Sequence, residues 1–175
     1  CVGREIGDIA YRFGMEERRR KDETILQQVE AEAEEFAVMK RKEDESVIDE
    51  ASVAEERFKG YKTEFLETLQ QKGLNPRRLR LAEGVVNNVF ADNSLKAKVT
   101  AFNLGTQNAT IADNKSIDKH LQMMGTSDPS QPTYERAYNL SLGIINKATQ
   151  EGRTLNISDE QALNLAIKTK RFDSA

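Results

Sequence analysis

Apolar residues between positions 4 and 71 recur at helical spacing, and no proline interrupts them. In the second half of this segment the steps between apolar residues are three or four, which is the spacing of a coiled-coil or bundle seam. This seam consists of Val47, Ala51, Ala54, Phe58, Tyr61, Phe65 and Leu69. A shorter run of the same kind comes earlier, at Ile25 or Leu26, Val29, Phe36 and Met39. The pattern predicts one very long charged helix whose narrow apolar stripe needs a partner.

The two apolar runs do not share one heptad frame. The path from Met39 through Glu43 to Val47 inserts an extra four residues, which relaxes a supercoil locally. This change of frame favours packing in a mixed bundle over a long uniform coiled-coil dimer. Two charged runs, at 16–23 and 40–45, are predicted to face solvent and to stay helical through ion pairs between successive turns.

Helix stop and start signals divide the rest of the chain. Stops are indicated at Gly73, Gly105, Gly125 and Gly152. Asn75-Pro76 is typical of a helix start, and Ser158 opens a capping box. These signals predict helices over 76–90, 92–105 (with Leu95, Val99 and Phe102 as apolar residues), 117–124, 133–152 and from 158 onward, with a loop over 106–114.

The chain is therefore predicted to be all-α, with one very long N-terminal helix followed by a compact set of about five shorter helices. The predicted regions are a charged helical rod over 1–72, a short-helix region over 73–125, a linker over 126–133 and a C-terminal helical pair over 134–175.

Composition supports a small core joined to an extended helix. Hydrophobic residues make up 38% and charged residues 31% of the chain, and tryptophan is absent; globular domains average about 45–50% and 25%. The net charge of −3 is too small to indicate a polyanionic partner. It conceals an asymmetry, because residues 1–72 carry 13 basic and 19 acidic side chains while the remainder is mildly basic.

A basic cluster formed by Arg77, Arg78 and Arg80 lies in the first turn of the predicted second helix. The helix dipole favours acidic residues there, so the cluster predicts contact with an acidic partner such as a neighbouring rod. Nucleic acid is a possible but less favoured partner, because acids flank the other basic run at 18–21 and the overall pI is about 5.4.

Residues for catalysis or cofactor binding are scarce. His120 is the only histidine, whereas a zinc site needs three or four ligands. Carboxylates are numerous but fall on predicted helix surfaces, and the glycines form neither a GxxxxGK[ST] nor a GxGxxG loop. We therefore predict a non-enzymatic protein with no cofactor and no metal.

Cys1 is the only cysteine, so the chain is not expected to form an internal disulfide, and a reducing compartment is compatible with it. No run reaches the 18 to 20 apolar residues, approximately, that a membrane span needs. Charges at Arg4, Glu5 and Asp8 argue against a signal peptide. A first-position cysteine is also similar to that of a mature bacterial lipoprotein, which leaves open a lipid-anchored periplasmic protein.

A charged helical rod followed by an Asn/Gln/Thr-rich helical tail is similar in general character to virion proteins of tailed bacteriophages, with internal core or ejection proteins of short-tailed phages as the nearest comparison. This resemblance implies a structural subunit of a virion or cytoplasmic assembly that contacts copies of itself and other structural proteins. The seam and the cluster Arg77, Arg78 and Arg80 are the predicted contact residues. The alternative is a soluble coiled-coil adaptor or regulator that recruits a partner protein.

Overall fold

A computed structural model describes residues 2–157, and helices make up 85% of them. The four helices are α1 (Val2–Asp44), α2 (Ala51–Gln70), α3 (Pro76–Thr126) and α4 (Pro132–Gln150), with no strand in the described residues. The all-α prediction is confirmed. The chain divides into two compact units, unit 1 up to Leu104 and unit 2 from Gly105.

The prediction of a single helix through the first seventy residues is wrong, because the chain turns at residues 45–50. The amides of Val47 and Ile48 donate to the Asp44 carbonyl at 3.1 and 3.0 Å, which ends α1 in a tight turn. The turn lies where the heptad frame changes. It allows the apolar runs of α1 and α2 to bury each other, which a straight rod cannot do within one chain.

Contacts at both ends of the hairpin show that α1 and α2 are antiparallel. Asp44 at the end of α1 pairs with Arg57 near the start of α2 at 2.9 Å. Glu32, earlier in α1, pairs with Lys72 just beyond α2 at 2.7 Å. The two predicted apolar runs therefore face each other inside one molecule.

The prediction of about five shorter helices is also wrong, since three of them and the loop over 106–114 are parts of α3. Polar residues that indicated breaks bond back to the preceding turn: Asn93 Nδ2 donates to the Val89 carbonyl at 2.9 Å, and Thr110 Oγ1 to that of Thr106 at 2.9 Å. Gly105 lies within the helix, a position that costs about 1 kcal/mol relative to alanine without breaking it. The helix predicted from Ser158 lies outside the described residues.

Several predicted helix boundaries are confirmed. Gly73 and Gly152 adopt φ of +70° and +69°, the left-handed conformation that glycine provides at a helix end. Asn75 Oδ1 accepts from the Arg78 amide at 2.8 Å and so caps α3, whose first residue is Pro76. The helix predicted over 133–152 corresponds to α4.

Unit 1 packs α1, α2 and the first part of α3 around one apolar core. Phe90 lies at its centre, with ring centroids 6.1, 6.5 and 5.9 Å from those of Phe36, Phe58 and Phe65. The other buried members are Val29, Ala33, Ala37, Ala54, Leu69, Ala82, Val86, Val89, Ala97 and Ala101. Three helices therefore share a core that each helix alone could not form.

Unit 2 contains a smaller core between the second part of α3 and α4. Its buried members are Met124, Tyr134, Ala137 and Tyr138. The segment after α4 returns to α3, where Arg153 pairs with Asp113 at 2.7 Å and the Asn156 amide donates to Asn114 Oδ1 at 2.9 Å. The polar residues near position 114 therefore anchor the end of the described chain.

Candidate interaction surfaces

Most of the predicted seam lies inside unit 1. Ala54, Phe58, Phe65 and Leu69 are between 0% and 6% exposed. Ala51 and Tyr61 are partly buried, and Val47 is 70% exposed in the turn between α1 and α2. Packing within one chain accounts for the spacing of the seam without a second molecule. Contact between copies through these residues stays a prediction.

A buried carboxylate joins the two arms of the hairpin. Asp44 accepts hydrogen bonds from Arg57 Nε and Nη2 at 3.1 and 2.9 Å and from the Tyr61 hydroxyl at 2.9 Å. Burial raises the pKa of Tyr61, and the Asp44 carboxylate raises it further, so the phenol remains a donor at neutral pH. Lys40 Nζ lies 5.2 Å from the centre of the Tyr61 ring, a cation–π distance. This arrangement fixes the turn.

Two of the three predicted contact arginines bind an acid of their own chain. Asp22 of α1 lies 2.8 Å from Arg77 Nη2 and 2.9 Å from Arg78 Nε. The hydrogen bond from Arg77, together with that from Arg78, lowers the pKa of Asp22 below its usual value. Arg80 is exposed and has no ion pair within the described residues. The cluster therefore attaches the start of α3 to α1.

Replacing Asp22 with asparagine is expected to lower stability at neutral pH and to have progressively less effect in acid. Because folding lowers the pKa of Asp22, the stabilisation is present above the unfolded pKa and disappears as the pH falls through the folded one. Urea unfolding of wild type and Asp22→Asn between pH 7 and pH 3 measures the difference. Asp8→Asn, an exposed acid on the same helix, is the control. A difference for Asp22→Asn that does not change with pH would contradict the assignment.

The basic run at 18–21 is largely neutralised by acids of α1. Arg19 bonds to Glu16 and Glu23, and Lys21 lies 3.7 Å from Glu17. These pairs span one helical turn and support the helix where it has no apolar contacts. They also reduce the positive charge available to phosphates.

The first part of α1 extends beyond the three-helix core. Residues 3–21, hereafter the arm, are exposed except for the partly buried Glu16, and they span about 30 Å at 1.5 Å per residue. Ile6, Ile9 and Phe13 are 61%, 52% and 71% exposed. Their steps of three and four place them on one face of the helix. We call these three residues the arm stripe.

A second exposed apolar face lies on α3. Leu95, Val99 and Phe102 are 59%, 53% and 65% exposed, again at steps of four and three. Ala97 and Ala101, between them in the sequence, are buried in the core of unit 1, so this part of α3 has an inner and an outer apolar face. We call Leu95, Val99 and Phe102 the outer stripe.

Sequence reasoning identified the outer stripe only as the apolar face of a short helix and missed the arm stripe. The signal for the arm stripe was available in the spacing of Ile6, Ile9 and Phe13. It was obscured because charged residues fill the positions between these three. Exposure, which spacing does not reveal, distinguishes both stripes from the core.

The described residues contain no group of three or more His, Cys, Asp or Glu arranged to hold a metal ion. His120 is partly buried on α3. No helix in residues 2–157 combines the length and apolarity required to cross a membrane. No protein-family model matches the chain, and neither a curated protein nor a solved structure matches it. The surfaces of the molecule are therefore the basis for a functional proposal.

Proposed function

We propose that the protein is a non-catalytic helical subunit that associates with copies of itself in a multi-copy assembly. The observation that carries this proposal is the pair of exposed stripes, which leaves six large apolar side chains uncovered on unit 1. Contiguous exposed apolar patches on a folded chain mark interaction sites. Residues at steps of three and four on a helix are suited to packing against another helix.

The helices that carry the stripes are firmly anchored in unit 1. The outer stripe lies on the reverse side of the helix segment that buries Ala97 and Ala101. The arm continues a helix that is attached to α3 through Asp22 and to α2 through Asp44. Contacts presented by anchored helices lose little conformational entropy on binding, which favours association.

The virion setting is supported by the compositional resemblance to tailed-phage virion proteins. A coiled-coil adaptor is the alternative, in which a different protein covers the stripes. The lipid-anchored alternative depends on Cys1, which lies outside the described residues.

Light scattering on the full chain is expected to show a mass that rises with concentration, from roughly micromolar to several hundred micromolar, towards a fixed multiple of the monomer. Since apolar contact is the main driving force, raising the salt concentration to 0.5 M is expected to leave the final mass unchanged. A monomer or dimer over the whole concentration range would contradict the proposal. That outcome would direct the search to a partner protein.

A further inference from the structure

We propose that the arm stripe of one copy binds the outer stripe of the next copy, so that the protein associates head to tail. This inference rests on the proposed function and specifies the surface through which copies meet. The two stripes consist of different residues on different helices, so the contact between them is heterologous. Such contacts generate rings where the rotation closes and filaments where it does not.

The amount of apolar surface favours this pairing. Each of the six side chains is more than half exposed, which leaves roughly 100 Å² on each and about 600 Å² for one contact between two stripes. Interfaces bury some polar rim in addition, so this area corresponds to the low end of specific interfaces. A single contact is therefore weak. A head-to-tail array covers both stripes on every interior copy, whereas a dimer through one stripe leaves the other exposed.

Charge distinguishes the pairing of unlike stripes from the pairing of like ones. Around the arm stripe, residues 4–17 contain two basic and four acidic side chains, whereas residues 94–104 around the outer stripe contain two lysines and no acid. Two outer stripes in contact would bring Lys96 and Lys98 of both copies together. An arm beside an outer stripe brings opposite net charges together, which favours this pairing.

The acids that would meet these lysines are available. Glu5 and Asp8 are exposed and have no ion pair within the described residues. Lys98 has only a long contact of 3.8 Å with Glu55, while Lys96 lies 3.0 Å from Asp92 on its own helix. Charged residues beside an apolar helix contact determine which partner binds more than how strongly it binds.

Mixing two variants tests the head-to-tail contact. Ile9→Asp disables the arm stripe and leaves the outer stripe intact, while Val99→Asp does the reverse. At a concentration where wild type is assembled, light scattering is expected to give the monomer mass for each variant alone. An equimolar mixture is expected to reach twice the monomer mass and stop there, because only one competent arm and one competent outer stripe remain between the two chains.

Matched controls separate this contact from general effects of a new charge. Tyr11→Asp places the same charge on the opposite side of the arm, and Asn87→Asp alters an exposed position elsewhere on α3; both are expected to assemble like wild type. Circular dichroism establishes that each variant is folded. Phe13→Asp and Phe102→Asp provide a second pair if either of the first two is not.

Each other outcome overturns the inference. Loss of assembly in only one of the two variants indicates pairing of like stripes. Assembly retained in both, or a mixture that remains monomeric, shows that copies meet elsewhere or that another segment covers the stripes; wild-type assembly then leaves the proposed function standing. A wild-type chain that is monomeric at every concentration overturns both proposals.

Discussion

Replacing Phe90 with alanine is expected to lower the free energy of unfolding by about 3–5 kcal/mol. Phe90 is 2% exposed and contacts aromatic rings from both α1 and α2. The substitution removes the ring at the centre of unit 1 and leaves a cavity that three helices can only partly fill. Urea unfolding followed by circular dichroism at low protein concentration measures the change.

Phe102 provides a matched control on the same helix, because it is 65% exposed on the outer stripe. Phe102→Ala is expected to change the free energy of unfolding by less than about 0.5 kcal/mol. The same substitution is expected to weaken self-association, which Phe90→Ala affects only through unfolding. Similar losses of stability for both variants would mean that the two faces of α3 have been assigned incorrectly.

Replacing Asp44 with alanine is expected to lower the free energy of unfolding by about 2 kcal/mol. Asp44 is buried and accepts hydrogen bonds from Arg57 and Tyr61, two of which are charge-assisted. The expected loss stays near the lower part of the range for such groups, because Arg57 is half exposed and solvent screens its charge. Thermal and urea unfolding measure it.

Asp49→Ala is the control for this substitution, since Asp49 is an exposed acid in the same turn. It is expected to change the free energy of unfolding by less than about 0.5 kcal/mol. A loss at Asp49 equal to that at Asp44 would indicate that any acid in the turn acts through general electrostatics. The hydrogen bonds of Asp44 would then not be what fixes the hairpin.

Local chemistry in the sequence predicted the helix boundaries that depend on local chemistry. Gly73, the Asn75-Pro76 start and Gly152 act through their own backbone, so tertiary contacts did not alter them. The turn at 45–50 contains neither glycine nor proline, and its position is determined by the packing of α1 on α2. In α3 the opposite error arose, because Asn93 and Gly105 resemble break signals but lie within a helix whose inner face is buried.

The candidate surfaces show the same division. Spacing identified Phe58, Phe65 and Leu69 as apolar contact residues, but spacing does not reveal whether the facing helix belongs to the same chain. Likewise, the dipole argument indicated an acid opposite Arg77 and Arg78, and the structure places Asp22 of the same chain there. Which apolar stripe remains exposed depends on the three-helix packing, and no local signal in the sequence contains that information.

The hairpin also has a consequence for the order in which unit 1 folds. Asp44 reaches Arg57 and Tyr61 across 13 and 17 positions of the chain, whereas Asp22 reaches Arg78 across 56 and Glu34 reaches Asn93 across 59. Closing a short loop costs less entropy and occurs sooner, so α1 and α2 are expected to pair before α3 docks. During synthesis, Phe36, Phe58 and Phe65 then remain uncovered until Phe90 has emerged from the ribosome. The nascent hairpin is therefore the stage at which this chain is most open to capture by chaperones or to misassembly with another nascent copy.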